Sequence, residues 1–155
     1  MYLERLELTN FKNYTQADVF CDARVNVLTG KNGSGKTNFL DAIYYLSFTK
    51  SAFSTSDYQN IHHGQQHFFM RGHIDKGHKH MLACGVQQGM KKIFKADNIE
   101  YPKLSDHIGQ YPVVLIAPDD VDLVKEGGEA RRKFFDGMIS QIDKVHLEKL
   151  IRYTH

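Results

Sequence analysis

The chain has 155 residues, 41% hydrophobic and 25% charged, with 20 Lys plus Arg against 18 Asp plus Glu. That balance is one ordinary domain able to bury its own core, and it excludes a histone-like basic tail or an acidic one. Two cysteines, Cys21 and Cys84, are too few for a disulfide scaffold and read as reduced thiols of a cytoplasmic protein. No apolar run approaches the roughly 20 residues that span a membrane, and the N-terminus lacks the apolar stretch of a signal peptide.

In chain order, Leu6 and Leu8 alternate with Arg5 and Glu7, the period of a half-buried strand. Asn10 to Asn13 reads as a turn, and Tyr14 to Phe20 as the returning strand of a hairpin. Arg24 to Leu28 is a short apolar strand running into Gly30. Thr37 to Phe48 reads as a helix with apolar positions on most sides, hence buried. Ser51 to Asp57 is a polar loop. His67 to Ile74, Met81 to Val86 and Lys92 to Ala96 form an antiparallel meander, with turns at Lys76-Gly77-His78 and Gln88-Gly89. Tyr101 to Gln110 is irregular, with room for one short helix. Val113 to Ala117 is continuously apolar, as in a strand buried on both faces. Asp119 to Lys125 reads as a short helix closed by Gly127-Gly128. A helix follows from Glu129, and another starts near Asp143. The last carries no stop signal, which suggests part of a longer protein.

Gly30-Lys31-Asn32-Gly33-Ser34-Gly35-Lys36-Thr37 fills every fixed position of a P-loop, between an apolar strand and a helix. Glycines let the backbone turn its N–H groups onto a polyphosphate, and the following helix adds the positive end of its dipole. Lys36 can reach the β- and γ-phosphates of ATP, and the Thr37 hydroxyl can ligate Mg²⁺. The fold expected is therefore α/β, a P-loop NTPase, with a mixed core sheet under the loop and an antiparallel layer beside it.

Three stretches narrow the class: Phe11-Lys12-Asn13-Tyr14, the P-loop, and Ala117-Pro118-Asp119-Asp120 with Leu123-Val124-Lys125, Gly128, Arg131-Arg132 and Phe135-Asp136. In this order they resemble the ABC-type ATPase heads of the SMC-like family, and within it the RecF branch. Where that branch tends to carry Arg after Phe53, Ser54 stands here, so no role passes to it. The resemblance implies a head that binds ATP and Mg²⁺, forms a homodimer around ATP, and engages gapped or junction DNA in recombination and repair. It implies RecO and RecR as partners. The signature Ser-Gly-Gln segment and the Walker B pair of such heads are not recognisable here. Residues 1–155 thus read as the N-terminal part of a head that binds ATP without hydrolysing it.

Several assignments stay open. Asp119 and Asp120 sit at a Gln-loop position, or form a Walker B acid, or cap a helix. Lys12 and Asn13 can reach the adenine or α-phosphate, or serve only the turn. Arg131 and Arg132 can meet DNA phosphates or pair with Glu129 and Asp136. The nine histidines show no metal-ligand spacing. Two other functions remain: a small P-loop kinase, or a module whose P-loop grips nucleic-acid phosphate.

Overall fold

The computed structural model describes residues 1–121 and 128–154. Six strands form one sheet: β1 (Tyr2–Phe11), β2 (Tyr14–Phe20), β3 (His67–Asp75), β4 (Lys79–Gln87), β5 (Ile93–Ala96) and β6 (Ile99–Glu100). Their order is β2-β1-β3-β4-β5-β6, and every pairing is antiparallel. The hairpin and the meander thus form the single antiparallel layer expected. Helix α1 (Lys36–Phe48) packs on one face.

The two-residue period decides which face that is. Leu6, Leu8, Phe68, Met70, Leu82, Cys84 and Phe94 point to α1 and are buried. On the opposite face Arg5 pairs with Asp18 at 2.7 Å, and Glu7 with His73 at 2.8 Å. From the helix come Phe39, Ala42, Tyr45 and Leu46. Each large side chain so buried contributes about 1.5–3 kcal/mol. Phe11, Phe68 and Tyr45 meet edge to face, with centroids 5.2 to 6.2 Å apart. Gly72 permits the close approach: a Cβ there would lie 2.5 Å from Leu46 Cδ1.

The far end of α1 is pinned by a lysine. Thr49, at φ 56°, ends the helix, and Lys92 donates to its carbonyl at 2.6 Å. An ammonium there complements the helix dipole. Lys92 also reaches Asp57 Oδ2 at 2.7 Å, and Tyr45 donates to Asp57 Oδ1 at 2.5 Å.

Two further helices, α2 (Gly128–Ile142) and α3 (Lys144–Thr154), complete the described chain. A short 3₁₀ turn, Pro118–Val121, stands at the start of the helix expected from Asp119; the remainder of that helix lies outside the described residues.

The mixed core sheet is not formed among the described residues. Residues 24–28 and 113–117 make no ladder, and Val25, Val27, Val114 and Ile116 are 73, 77, 67 and 81% exposed. Neither run joins the described sheet, whose edges are β2 and β6. Residues 113–117 are held instead at their start. Gln141 of α2 accepts from the Val113 N–H at 2.9 Å and donates to its carbonyl at 3.2 Å.

His107 locks the irregular segment onto α1. Its ring is fully buried against Phe94, Tyr101 and Tyr111, and Nε2 donates to the Leu46 carbonyl at 2.7 Å. Nδ1 is buried without a partner, so a second proton would have no acceptor. Burial holds the imidazole below its usual range, against a smaller opposite effect of the Leu46 carbonyl. The unfolded chain then binds more protons below about pH 6.5, so stability falls as pH drops through that value. Denaturant titrations at pH 7.5 and 5.5 should show a smaller loss in His107→Gln, which keeps a donor but does not titrate. An equal loss in both proteins would place the acid sensitivity elsewhere.

Candidate nucleotide site

The loop between residue 29 and α1 has the backbone that its glycines were expected to supply. Gly30, Gly33 and Gly35 have φ of 146, 80 and 104°. Nothing lies within 4 Å of where a Gly33 Cβ would stand, so the loop is open there. Gly35 is the N-cap of α1, with no side chain capping the first turn and no acidic residue in it. The orphan N–H groups of that turn are therefore left for an anion, with the helix dipole behind them.

Lys36 folds over this loop. Its ammonium donates to the carbonyls of Gly30 at 2.9 Å and Lys31 at 2.8 Å. It thus sits at the mouth of the cradle, held by neutral acceptors that a phosphate oxygen outcompetes. Thr37 is exposed beside it, and Lys31, Asn32, Gly33 and Ser34 are exposed too. Ser34 also closes the loop through its N–H to Lys31 O at 3.2 Å. Gly30 through Thr37 are brought together as one cradle. The groups this cradle offers are its loop N–H groups, the Lys36 ammonium and the exposed Thr37 hydroxyl, the donor set for a polyphosphate and a divalent cation.

Lys12 and Asn13 are placed beside this site but are engaged by the protein. The Lys12 ammonium lies 2.6 Å from Asp41 Oδ2, with 12% of the lysine side chain and none of the aspartate exposed. Asp41 also accepts from Ser51 Oγ and the Ala52 N–H, each at 2.7 Å. Asn13 Oδ1 accepts from Asn38 Nδ2 at 2.8 Å. Tyr14 donates its hydroxyl to the Gly35 carbonyl at 3.1 Å. Asp41 and Asn38 were not among the residues singled out from sequence, and Tyr14 stood only as part of the Phe11-Lys12-Asn13-Tyr14 stretch. The available signal was Asp41: a carboxylate among the buried positions of an apolar helix implies a partner.

Asp120 Oδ2 accepts from the Ala117 N–H at 2.6 Å, reaching back to the residue before the 3₁₀ turn. It also lines a cleft of about 210 Å³ with Tyr44, Phe53 and Phe134. The backbone of Asp119 lies in the same 3₁₀ turn; its side chain is outside the described residues. Arg131 and Arg132 are exposed at the head of α2, and Arg132 Nε donates to the Gly128 carbonyl at 3.2 Å. Asp136 pairs with His146 at 3.1 Å.

Among the described residues no group of three or more His, Cys, Asp or Glu could hold a metal ion. No described helix is long and apolar enough to cross a membrane. Cys84 is buried, its thiol pushed up to about 12 by desolvation, which suits packing rather than nucleophilic chemistry.

Comparison with known proteins agrees with this geometry. Residues 2–94 match the family described as the RecF/RecN/SMC N terminal domain. The DNA replication and repair protein RecF of Flavobacterium johnsoniae is 45% identical over 154 residues, covering 99% of this chain and 43% of that protein. RecF of Phocaeicola vulgatus is 45% identical over 156 residues, covering 99% and 42%. The chain spans less than half the length of these relatives. Among solved structures, the recombination mediator protein RecF with ATP superposes with a TM-score of 0.90 at 27% identity, covering 99% of this chain and 43% of that one. An SMC ATPase studied for ATP-driven dimerization superposes with a TM-score of 0.68 at 20% identity, covering 89% and 99%, a likeness of fold.

Proposed function

Because the chain belongs to the RecF/RecN/SMC N-terminal domain family, we propose that residues 1–155 are the nucleotide-binding part of a RecF-like ATPase head. The observation that carries the reading is the open N-terminus of α1, with its glycine cradle and Lys36 at the mouth. ATP binds there through its phosphates, and Mg²⁺ through Thr37. The bound cation supplies charge neutralisation on the phosphate oxygens. The P-loop residues of this chain bind and orient the phosphates. In the complete protein, ATP joins two heads, and the dimer engages gapped or junction DNA in the cytoplasm, with RecO and RecR as partners. Asp119 and Asp120 then matter to turnover more than to binding.

Titration calorimetry of the purified chain with ATP, with and without Mg²⁺, tests the reading. Saturable, Mg²⁺-dependent binding without turnover is expected. No saturable binding would overturn it, and phosphoryl transfer to a small acceptor would replace it with a kinase.

A further inference from the structure

Three consecutive residues, the β1–β2 turn and the first of β2, grip α1 and its N-cap at three-residue steps. Tyr14 bonds Gly35, Asn13 bonds Asn38, and Lys12 pairs with Asp41. Positions 35, 38 and 41 lie along one i±3 ridge of a helix, so the turn runs antiparallel to the helix and touches it at each step. The first step is the P-loop itself. The Gly35 carbonyl accepts both the Phe39 N–H at 2.9 Å and the Tyr14 hydroxyl at 3.1 Å. A Cβ at residue 35 would stand 2.7 Å from Asn13 Nδ2 and 3.0 Å from Tyr14 Cζ. Gly35 is thus fitted under the turn and held at a positive φ.

The turn is itself fixed from behind. The Lys12 N–H donates to Asn60 O at 2.7 Å, His62 Nδ1 donates to Lys12 O at 2.8 Å, and the His62 N–H donates to Asn10 O at 2.8 Å. Asn10 and Lys12 are held at φ 53 and 51°, a conformation that side chains rarely adopt and that surrounding contacts must impose.

We propose that Lys12, Asn13 and Tyr14 are positioning residues for the P-loop, which set the Gly35 peptide and the first N–H groups of α1 before a nucleotide arrives. The proposal rests on the nucleotide reading of the loop and gives its turn residues a different task from touching the nucleotide. Lys12 is already neutralised by a buried carboxylate, and the Asn13 acceptor is already filled by Asn38. A cradle held in its binding conformation saves the ordering cost that a loose one would incur on binding.

The test separates positioning from contact by using two ligands. Tyr14→Phe removes one oxygen, and Asn13→Ala removes the amide. Both are titrated with Mg-ATP and with Mg-tripolyphosphate, which lacks adenine and ribose, at a temperature well below melting. Positioning predicts a three- to tenfold weaker affinity, by the same factor for both ligands. A loss confined to ATP would make these residues adenine contacts and overturn the proposal, as would no loss for either. If the wild-type chain binds neither ligand, the nucleotide reading itself fails. The clamp is then judged by amide hydrogen exchange. Faster exchange over residues 35–38 in Tyr14→Phe upholds it, and unchanged exchange overturns it.

Discussion

Lys36→Ala is expected to weaken Mg-ATP binding by about 2–4 kcal/mol, a loss of roughly 30- to 1,000-fold in affinity. The ammonium is held over the loop by the carbonyls of Gly30 and Lys31, so its charge is delivered where polyphosphate oxygens must sit. Truncation removes the charge-assisted contact and leaves the backbone N–H groups to act alone. Folding should change little, because both acceptors of Lys36 are at the exposed end of the helix. Calorimetry with Mg-ATP reads the affinity, and a thermal melt shows that the variant is folded. Equal affinity for wild type and Lys36→Ala would remove the loop from the binding site.

Asp41→Ala is expected to lower stability by about 3–5 kcal/mol, the cost of breaking a buried ion pair from one side. Asp41 is fully buried on α1 and serves three donors: the Lys12 ammonium, the Ser51 hydroxyl and the Ala52 N–H. Without it Lys12 remains nearly enclosed, 5.9 Å from the Phe11 ring centroid and 5.6 Å from that of Phe53. Those faces offset only a small part of the loss. The double variant Lys12→Met, Asp41→Leu should cost less than the two single changes together, because it removes both charges. Urea titrations of the wild type, Asp41→Ala, the two single variants and the double variant measure this. A loss below about 1 kcal/mol for Asp41→Ala would mean that water reaches the pair and screens it.

The antiparallel layer was legible because its signal is local. Leu6 and Leu8, or Phe68 and Met70, alternate with polar neighbours, and Gly77 and Gly89 mark turns, both at positive φ. The P-loop was legible because phosphate chemistry fixes residue types at fixed spacing. Residues 24–28 and 113–117 show the limit. An apolar run states that its side chains prefer to be dry, not which strand will lie beside it, and the described chain provides no such strand. Lys12 was hidden for another reason. Its partner Asp41 stands 29 positions on, and nothing local to Phe11-Lys12-Asn13-Tyr14 separates a lysine aimed at a ligand from one aimed at a helix.

The carboxamide of Gln141 is a peptide unit borrowed from a side chain. It offers one donor and one acceptor at the spacing of a strand neighbour, and it fills both main-chain groups of Val113. A borrowed unit cannot be extended, since the next residue along α2 points elsewhere. The ladder is therefore one rung long by construction. Open strands recruit other chains because each rung presents the next. Here the first rung is occupied by a group that offers no second, so the apolar run after Val113 begins with a stopper in place.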